Sequence, residues 1–166
     1  MITQEQLKEV LAYDGDTGVF TWKDRDLNWW NTKYSGKVAG TISTGGYVAI
    51  RIKGKTYSAH RLAWLYVYDY FPVEVDHIDG NGLNNIICNI RDVSHIENMK
   101  NQKNRKNNTS GTIGVHLSTK TLKWQAKISI LGKQVRLGYF TDKQDAIDAR
   151  KAAEIKYGYH ANHGRL

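Results

Sequence analysis

The chain has one cysteine, Cys88, and one proline, Pro72, among 166 residues. A lone thiol excludes an intrachain disulfide and a cysteine-rich zinc knuckle. It fits a reducing compartment, so the cytoplasm (a host cytoplasm if the chain is phage-encoded) is the expected location. Cys88 itself reads as a small buried residue. The opening residues, "MITQEQLKEV", lack the basic stretch and apolar run of a secretory signal. No apolar run nears the roughly 20 residues needed to cross a bilayer, so no membrane partner is expected. No internal repeat is visible.

Acidic residues are scarce in one region. Residues 101–166 hold 13 Lys and Arg against 4 Asp and Glu, whereas residues 1–75 hold 9 against 8 and residues 76–100 hold 2 against 4. The net charge of +8 therefore belongs almost wholly to the last third. That is the footprint of a polyanion binder; plain solubility is the blander explanation. A basic region beside a locally acidic one suits a metal-dependent nuclease.

Hydropathy and turn chemistry give the element order. A helix is expected over 3–13, with Thr3 and Gln6 as a capping box and Leu7, Val10 and Leu11 as its apolar stripe. "DGDTG" at 14–18 is a turn, followed by the strand "VFTWK". Residues 24–38 read as irregular, with Trp29 and Trp30 as a lid or a contact surface. "GGYVAIRIKGKTYSAH" reads as a hairpin turning at Gly54. A helix over 60–70, with Leu62, Leu65 and Tyr66 on one face, stops before Pro72. "VEVDH" is a short strand. Residues 99–111 are basic, rich in Asn and nearly free of apolar residues, and read as a helix end plus linker. Strands are expected at 113–119, 122–130 and 133–140, with a helix from Thr141 that Gln144 caps. The fold class is thus α+β. An N-terminal domain spans 1–100, a basic linker 101–110, and a three-stranded sheet covered by one helix 111–166.

The chemistry lies in "VDHIDGNGLNN", residues 75–85. Asp76 is a hard oxygen ligand, and His77 titrates nearest neutrality. Adjacent residues on an extended segment face opposite ways, so one can hold a cation while the other handles a proton. Asn81, Asn84, Asn85, Asn89, His95 and Asn98 follow. "VSHIENMKNQ" reads as a helix that places His95, Asn98 and Gln102 within reach of one face. Oxygen donors favour Mg²⁺ or Mn²⁺ over Zn²⁺. An ordinary turn with capping asparagines is the alternative reading of spacing alone.

"VDHIDGNGLNNIICNIRDVSHIEN" resembles the ββα-metal core of HNH endonucleases, in the form common among phage and intron-associated homing enzymes. The likeness extends upstream through "GYVAIRIKGKTYSAHRLAW" and covers roughly residues 2–100. The resemblance implies Asp76 as a metal ligand and His77 as general base. It implies Asn89 as the central residue that braces the loop and orients the histidine, and Asn98 as the second metal ligand. Many relatives carry His at that last position; Asn here supports one oxygen-preferring ion, Mg²⁺ or Mn²⁺, per active site, with no structural zinc. Gln102 stands where some relatives use a further His, and it is not taken as a ligand.

"SGTIGVHLSTKTLKWQAKISILGKQVRLGYFTDKQDAIDA" resembles the plant APETALA-type, ethylene-response-factor DNA-binding domain. That family docks the free face of its sheet in the major groove, which selects His116, Ser118, Lys120, Lys127, Ser129, Gln134 and Arg136. The family's arginines are missing at His116 and Ser118 and its tryptophan at Arg136, so the docking face carries over better than any base code. Lys100, Lys103, Arg105 and Lys106 form either a solvated run or phosphate contacts along a groove. Arg61 is either a phosphate contact or structural. His95 reads as a phosphate contact or a support residue, and Trp124 as core. The expected function is homing-type, site-directed hydrolysis of phosphodiester bonds in double-stranded DNA, with nicking and double-strand cutting both open and products bearing a 3′-hydroxyl and a 5′-phosphate. The alternative is a DNA-binding regulator with an inactive HNH fold. Monomer and homodimer both remain open.

Overall fold

The computed structural model describes residues 1–165. Its contacts divide the chain into two units between Ser94 and His95. Among the described residues no helix is long and apolar enough to cross a membrane.

In the first unit, helix α1 (Gln4–Val10) starts as its capping box requires. The Thr3 hydroxyl accepts from the Gln6 amide, and the Gln6 side chain accepts from the Thr3 amide. The helix ends earlier than its apolar stripe suggests. Leu11 is extended and opens strand β1 (Leu11–Asp14), which pairs antiparallel with β2 (Val19–Trp22). The pairing buries Leu11 and Phe20 together. Two strands sharing one buried face outweigh the small helix preference of a single turn. Asp14 closes the connection by accepting from the amides of Asp16 and Thr17.

The segment expected to be irregular contains a helix, α2 (Asn28–Tyr34), whose indoles and tyrosine pack on one another. Strands β3 (Thr41–Ile42), β4 (Val48–Ile52) and β5 (Lys55–Ser58) form one sheet in that order. The β4–β5 turn places Lys53 and Gly54 in the left-handed region, the conformation that a two-residue hairpin needs to match strand twist. Helix α3 (Ala59–Tyr68) ends at Asp69, which is left-handed, ahead of the buried Pro72. Its Leu62, Ala63 and Leu65 enter a core with Leu7, Leu11, Phe20, Ile50 and Ile52. Strands β6 (Glu74–His77) and β7 (Ile90–Val93) pair antiparallel, with Asp76 opposite Arg91 and His77 opposite Ile90.

The second unit opens with the short helix α4 (His95–Met99). It continues with β8 (Val115–Leu117), β9 (Trp124–Ile130) and β10 (Lys133–Phe140), in the sheet order β10-β9-β8, and then α5 (Lys143–Lys156). Val115, Ala126 and Ala146 are buried where α5 meets the sheet. The N-cap of α5 is Asp142 rather than Thr141: its carboxylate accepts from the Gln144 amide. The register shifts between Arg136 and Gly138. A bulge there flips the alternation, so Tyr139 pairs with Gln125 and joins the polar face. Residues 101–110, expected as a linker, are tied into this unit. Asn101 and Ser110 are buried, Asn101 accepts from Arg165, and the Asn104 side chain donates to the Gly111 carbonyl.

A buried polar cluster fixes α5 to the sheet. Arg150, 2 % exposed, donates to Glu154 at 2.9 Å and to the Lys127 carbonyl at 2.7 Å, and lies 3.2 Å from His163 Nε2. An unpaired guanidinium could not be buried here; the carboxylate at i+4 neutralises it. Burial is the main cause that drives the His163 pKa down to about 4. The folded unit thus holds this ring neutral while the unfolded chain takes a proton near the ordinary value. Stability is full above pH 6.5 and falls as pH drops from there toward 4, by at most about 3 kcal/mol from this ring. Urea unfolding between pH 7.5 and about 4.5 is expected to show that fall. In His163→Gln the fall should be smaller.

Candidate functional site

Asp76 and Arg91 are direct cross-strand neighbours, so their side chains share one face of the β6–β7 pair. The Asp76 carboxylate is 7 % exposed, and its Oδ2 accepts from Arg91 Nε at 3.0 Å and Nη2 at 2.7 Å. His77, one residue on, points the other way and is buried. Its ring centroid lies 5.0 Å from that of His60 on α3 and 5.9 Å from that of Tyr47, and its Nε2 lies 3.4 Å from Asn85 Oδ1. Burial lowers the His77 pKa, against the opposing pull of Asn85, Asp79 and Asp76. Burial also takes His60 down to about 4, with His77 and Arg61 adding to the effect. Both rings are therefore neutral at neutral pH, and a neutral imidazole is the form that accepts a proton.

The loop between β6 and β7 is held by side chains. Asp79 Oδ1 accepts from the Asn81 amide at 2.7 Å and from Asn89 Nδ2 at 3.0 Å. Its Oδ2 accepts from Asn84 Nδ2 at 2.7 Å. Asn89 Oδ1 accepts from the Asp79 amide, and Asn89 Nδ2 also reaches the Asn84 carbonyl. Although burial pushes the Asp79 pKa up, these hydrogen bonds outweigh it and hold the carboxylate below its ordinary value. Asn81 and Asn84 also cap turns, accepting from the Leu83 and Ile86 amides.

Asn89 braces the loop, as the family likeness implied. The side chain set against His77 is Asn85, which is 3 % exposed, donates to the Leu83 carbonyl and accepts the Tyr13 hydroxyl on its own carbonyl at 2.7 Å. The β1–β2 turn braces the same stretch: the Ile87 amide donates to Gly15. Gly18, left-handed at φ 71°, sits where a Cβ would collide with the backbone of Asn85 and Ile86. Asn85 stood among the candidate polar residues but carried no role, because nothing in the spacing distinguishes it from Asn84. Cys88 is exposed, not buried: the 3₁₀ turn Ile87–Asn89 directs it outward while Ile87 packs against the core.

Asn98 and His95 lie on α4, in the second unit. Lys100 donates to the Tyr157 carbonyl at 2.9 Å, so it has a structural role in that unit. Lys103, Arg105 and Lys106 are exposed. On the sheet, Lys127 pairs with Arg136 and Ser129 with Gln134. His116 is exposed and pairs with Gln125, which in turn pairs with Tyr139. These seven share one face. Arg136 sits 5.1 Å from the Tyr139 ring centroid. Ser118 and Lys120 fall in the turn after β8 rather than on the strand. The bulge that brings in Tyr139 has a sequence signal, the glycine inside the strand at Gly138.

Among the described residues no group of three or more His, Cys, Asp and Glu side chains gathers as a metal site. In the first unit the Asp76 carboxylate, at the end of β6, is a hard oxygen donor. That chemistry fits Mg²⁺ or Mn²⁺, ions that keep several waters and use few protein ligands, and does not fit zinc.

Residues 57–100 match the family model described as HNH endonuclease. The matched stretch starts in β5 and runs through β6, the braced loop, β7 and α4. No curated protein and no solved structure matches the chain.

Two substitutions test the bracing. Gly18→Ala should cost about 1–3 kcal/mol, because it adds backbone strain and displaces the Asn85 segment. Asn85→Ala should cost about 1 kcal/mol. Denaturant unfolding measures both, and the resonances of the His77 ring should shift in each.

Proposed function

We propose that the chain is a DNA endonuclease of the HNH type, directed to its site in the manner of a homing enzyme, with the second unit as the DNA grip. The observation that carries this reading is the HNH family match over residues 57–100 together with the Asp76–His77 pair at the end of β6, ahead of an asparagine-braced loop. Asp76 and Asn98 are the residues that would hold one Mg²⁺ or Mn²⁺. When bound, such a cation stabilises charge on the phosphate and on the departing oxygen.

His77 takes a proton from the attacking water through its neutral ring. The Asp79–Asn84–Asn89 hydrogen bonds fix the loop that follows it, and Asn85 sets the ring's tilt. Water adds to phosphorus, the bond to the 3′ oxygen breaks, and the strand ends as a 3′-hydroxyl and a 5′-phosphate. Arg91 holds one oxygen of Asp76 in place and balances its charge until the cation arrives. On the second unit, Lys127, Arg136 and Gln134 lie against duplex DNA, with His116 and Ser129 beside them and Ser118 and Lys120 at the rim. Lys103, Arg105 and Lys106 follow the phosphates, with Lys100 behind them. Two binding units on one chain raise the local concentration of each at the DNA.

The Arg91–Asp76 ion pair favours one second reading, a DNA-binding regulator whose HNH fold does not cut, because a guanidinium can fill a cation's place. Plasmid incubated with Mg²⁺ or Mn²⁺ separates the two. Wild type should nick or linearise it, and His77→Ala should cut about 100-fold more slowly or worse while still binding. Equal, intact plasmid from both proteins across several DNAs would leave the regulator.

The grip has its own test. Lys127→Ala with Arg136→Ala should weaken DNA binding, and each phosphate contact removed should reduce the slope of log affinity against log salt by about 0.9. Binding should be followed by fluorescence anisotropy without divalent cation, so that cutting does not enter.

A further inference from the structure

Helix α2 presents an aromatic and cationic surface with no role in the site just described. Trp30 packs on Tyr34 with ring centroids 4.3 Å apart and meets Trp22 edge to face at 5.3 Å. The Arg25 guanidinium lies 4.0 Å from the Trp30 ring centroid and 5.3 Å from that of Trp22. Asn31 fixes the Arg25 backbone by accepting from its amide at 2.8 Å and donating to its carbonyl at 2.7 Å. Among the described residues no carboxylate pairs with this guanidinium, and its Nε has no hydrogen-bond partner. Asp24, the nearest acid in sequence on one side, instead accepts from the Ser35 hydroxyl.

Trp29 stands beside this stack, 5.9 Å from Trp30, and is 64 % exposed. With most of its surface in water, this indole has one ring contact within the unit, the edge of Trp30. Residues 23–37 hold four cations, Lys23, Arg25, Lys33 and Lys37, against two acids, Asp24 and Asp26. A planar cation stacked on indoles is held rigid; its Nε is buried, while its two terminal nitrogens stay able to fork onto a phosphate. An indole next to it offers a flat apolar face to a sugar or base. Excess positive charge selects an anionic occupant over a second copy of this basic chain.

We propose that Arg25 and Trp29 form a second contact with duplex DNA, in the nuclease unit itself. Arg25 takes a phosphate, and Trp29 packs against the sugar and base edges of the same strand. This rests on the endonuclease reading for the identity of the polymer, but not on cutting. The surface gives the first unit its own hold on the substrate, separate from the basic sheet of the second.

The test is binding of the full chain to a fluorescein-labelled, mixed-sequence duplex in EDTA. Trp29→Ala should lower affinity about 5- to 50-fold, and Trp29→Phe should restore most of it. Arg25→Lys, which keeps the charge and loses the fork, should weaken binding less than Arg25→Gln, and only the latter should reduce the salt slope, by about 0.9. Trp29 is exposed, so Trp29→Ala should melt like wild type, which keeps loss of fold apart from loss of contact. Wild-type affinity in Trp29→Ala would overturn the proposal. So would a loss confined to RNA of the same sequence. Plasmid left intact by the wild-type protein in Mg²⁺ or Mn²⁺ would instead overturn the endonuclease reading and leave the binding result standing.

Discussion

A twelve-residue irregular loop can keep one shape only if something other than a strand ladder satisfies its backbone. Between His77 and Ile90 backbone turns meet part of that need, and side chains gathered on Asp79 tie the turns together. Its two carboxylate oxygens accept from Asn81, Asn84 and Asn89, and Asn89 returns a bond to the Asp79 amide. Every feature of the candidate site hangs on this knot. It fixes where β7 begins, hence the register that sets Arg91 against Asp76. It also fixes the stretch that presents Asn85 to His77. Asparagine suits the task because its amide both donates and accepts; aspartate at the same places would put like charges around Asp79.

The same arrangement separates two kinds of chemistry within two residues. Asp76 pairs its carboxylate with Arg91, while His77 is kept neutral by burial between His60, Tyr47 and Asn85. The alternation of an extended strand makes this possible: one side chain faces a guanidinium and its neighbour faces an apolar, aromatic wall.

Much of this was legible in the sequence, and the misses have physical causes. The Thr3–Gln6 box, the Lys53–Gly54 hairpin and the helix ending before Pro72 are local signals whose partners lie within a few residues, and each appears in the structure. The Asp76–His77 pair stands out by residue type, while a role for Asn89 came only with the family resemblance; the structure shows Asn89 bonded to Asp79 and Asn84. Strand β1 was taken for helix because its pairing with β2 lies outside any helical window. Arg150 drew no reading from the sequence; its burial depends on the Lys127 carbonyl and His163 as well as on Glu154. Asn85 differs from Asn84 only through Gly18 and Tyr13, about 70 residues away in the chain. Leu11 and Asn85 are decided by contacts distant in sequence, and no local pattern reports those.

The central claim is that Asp76 and Asn98 share one oxygen-preferring cation. Titration of Mn²⁺ followed by electron paramagnetic resonance, with duplex DNA present, tests it most directly. Asp76→Asn and Asn98→Ala should each lower Mn²⁺ affinity about tenfold or more, and the double variant should lose less than the two single losses combined. Wild-type affinity in either single variant, or strictly additive losses in the double, would contradict it.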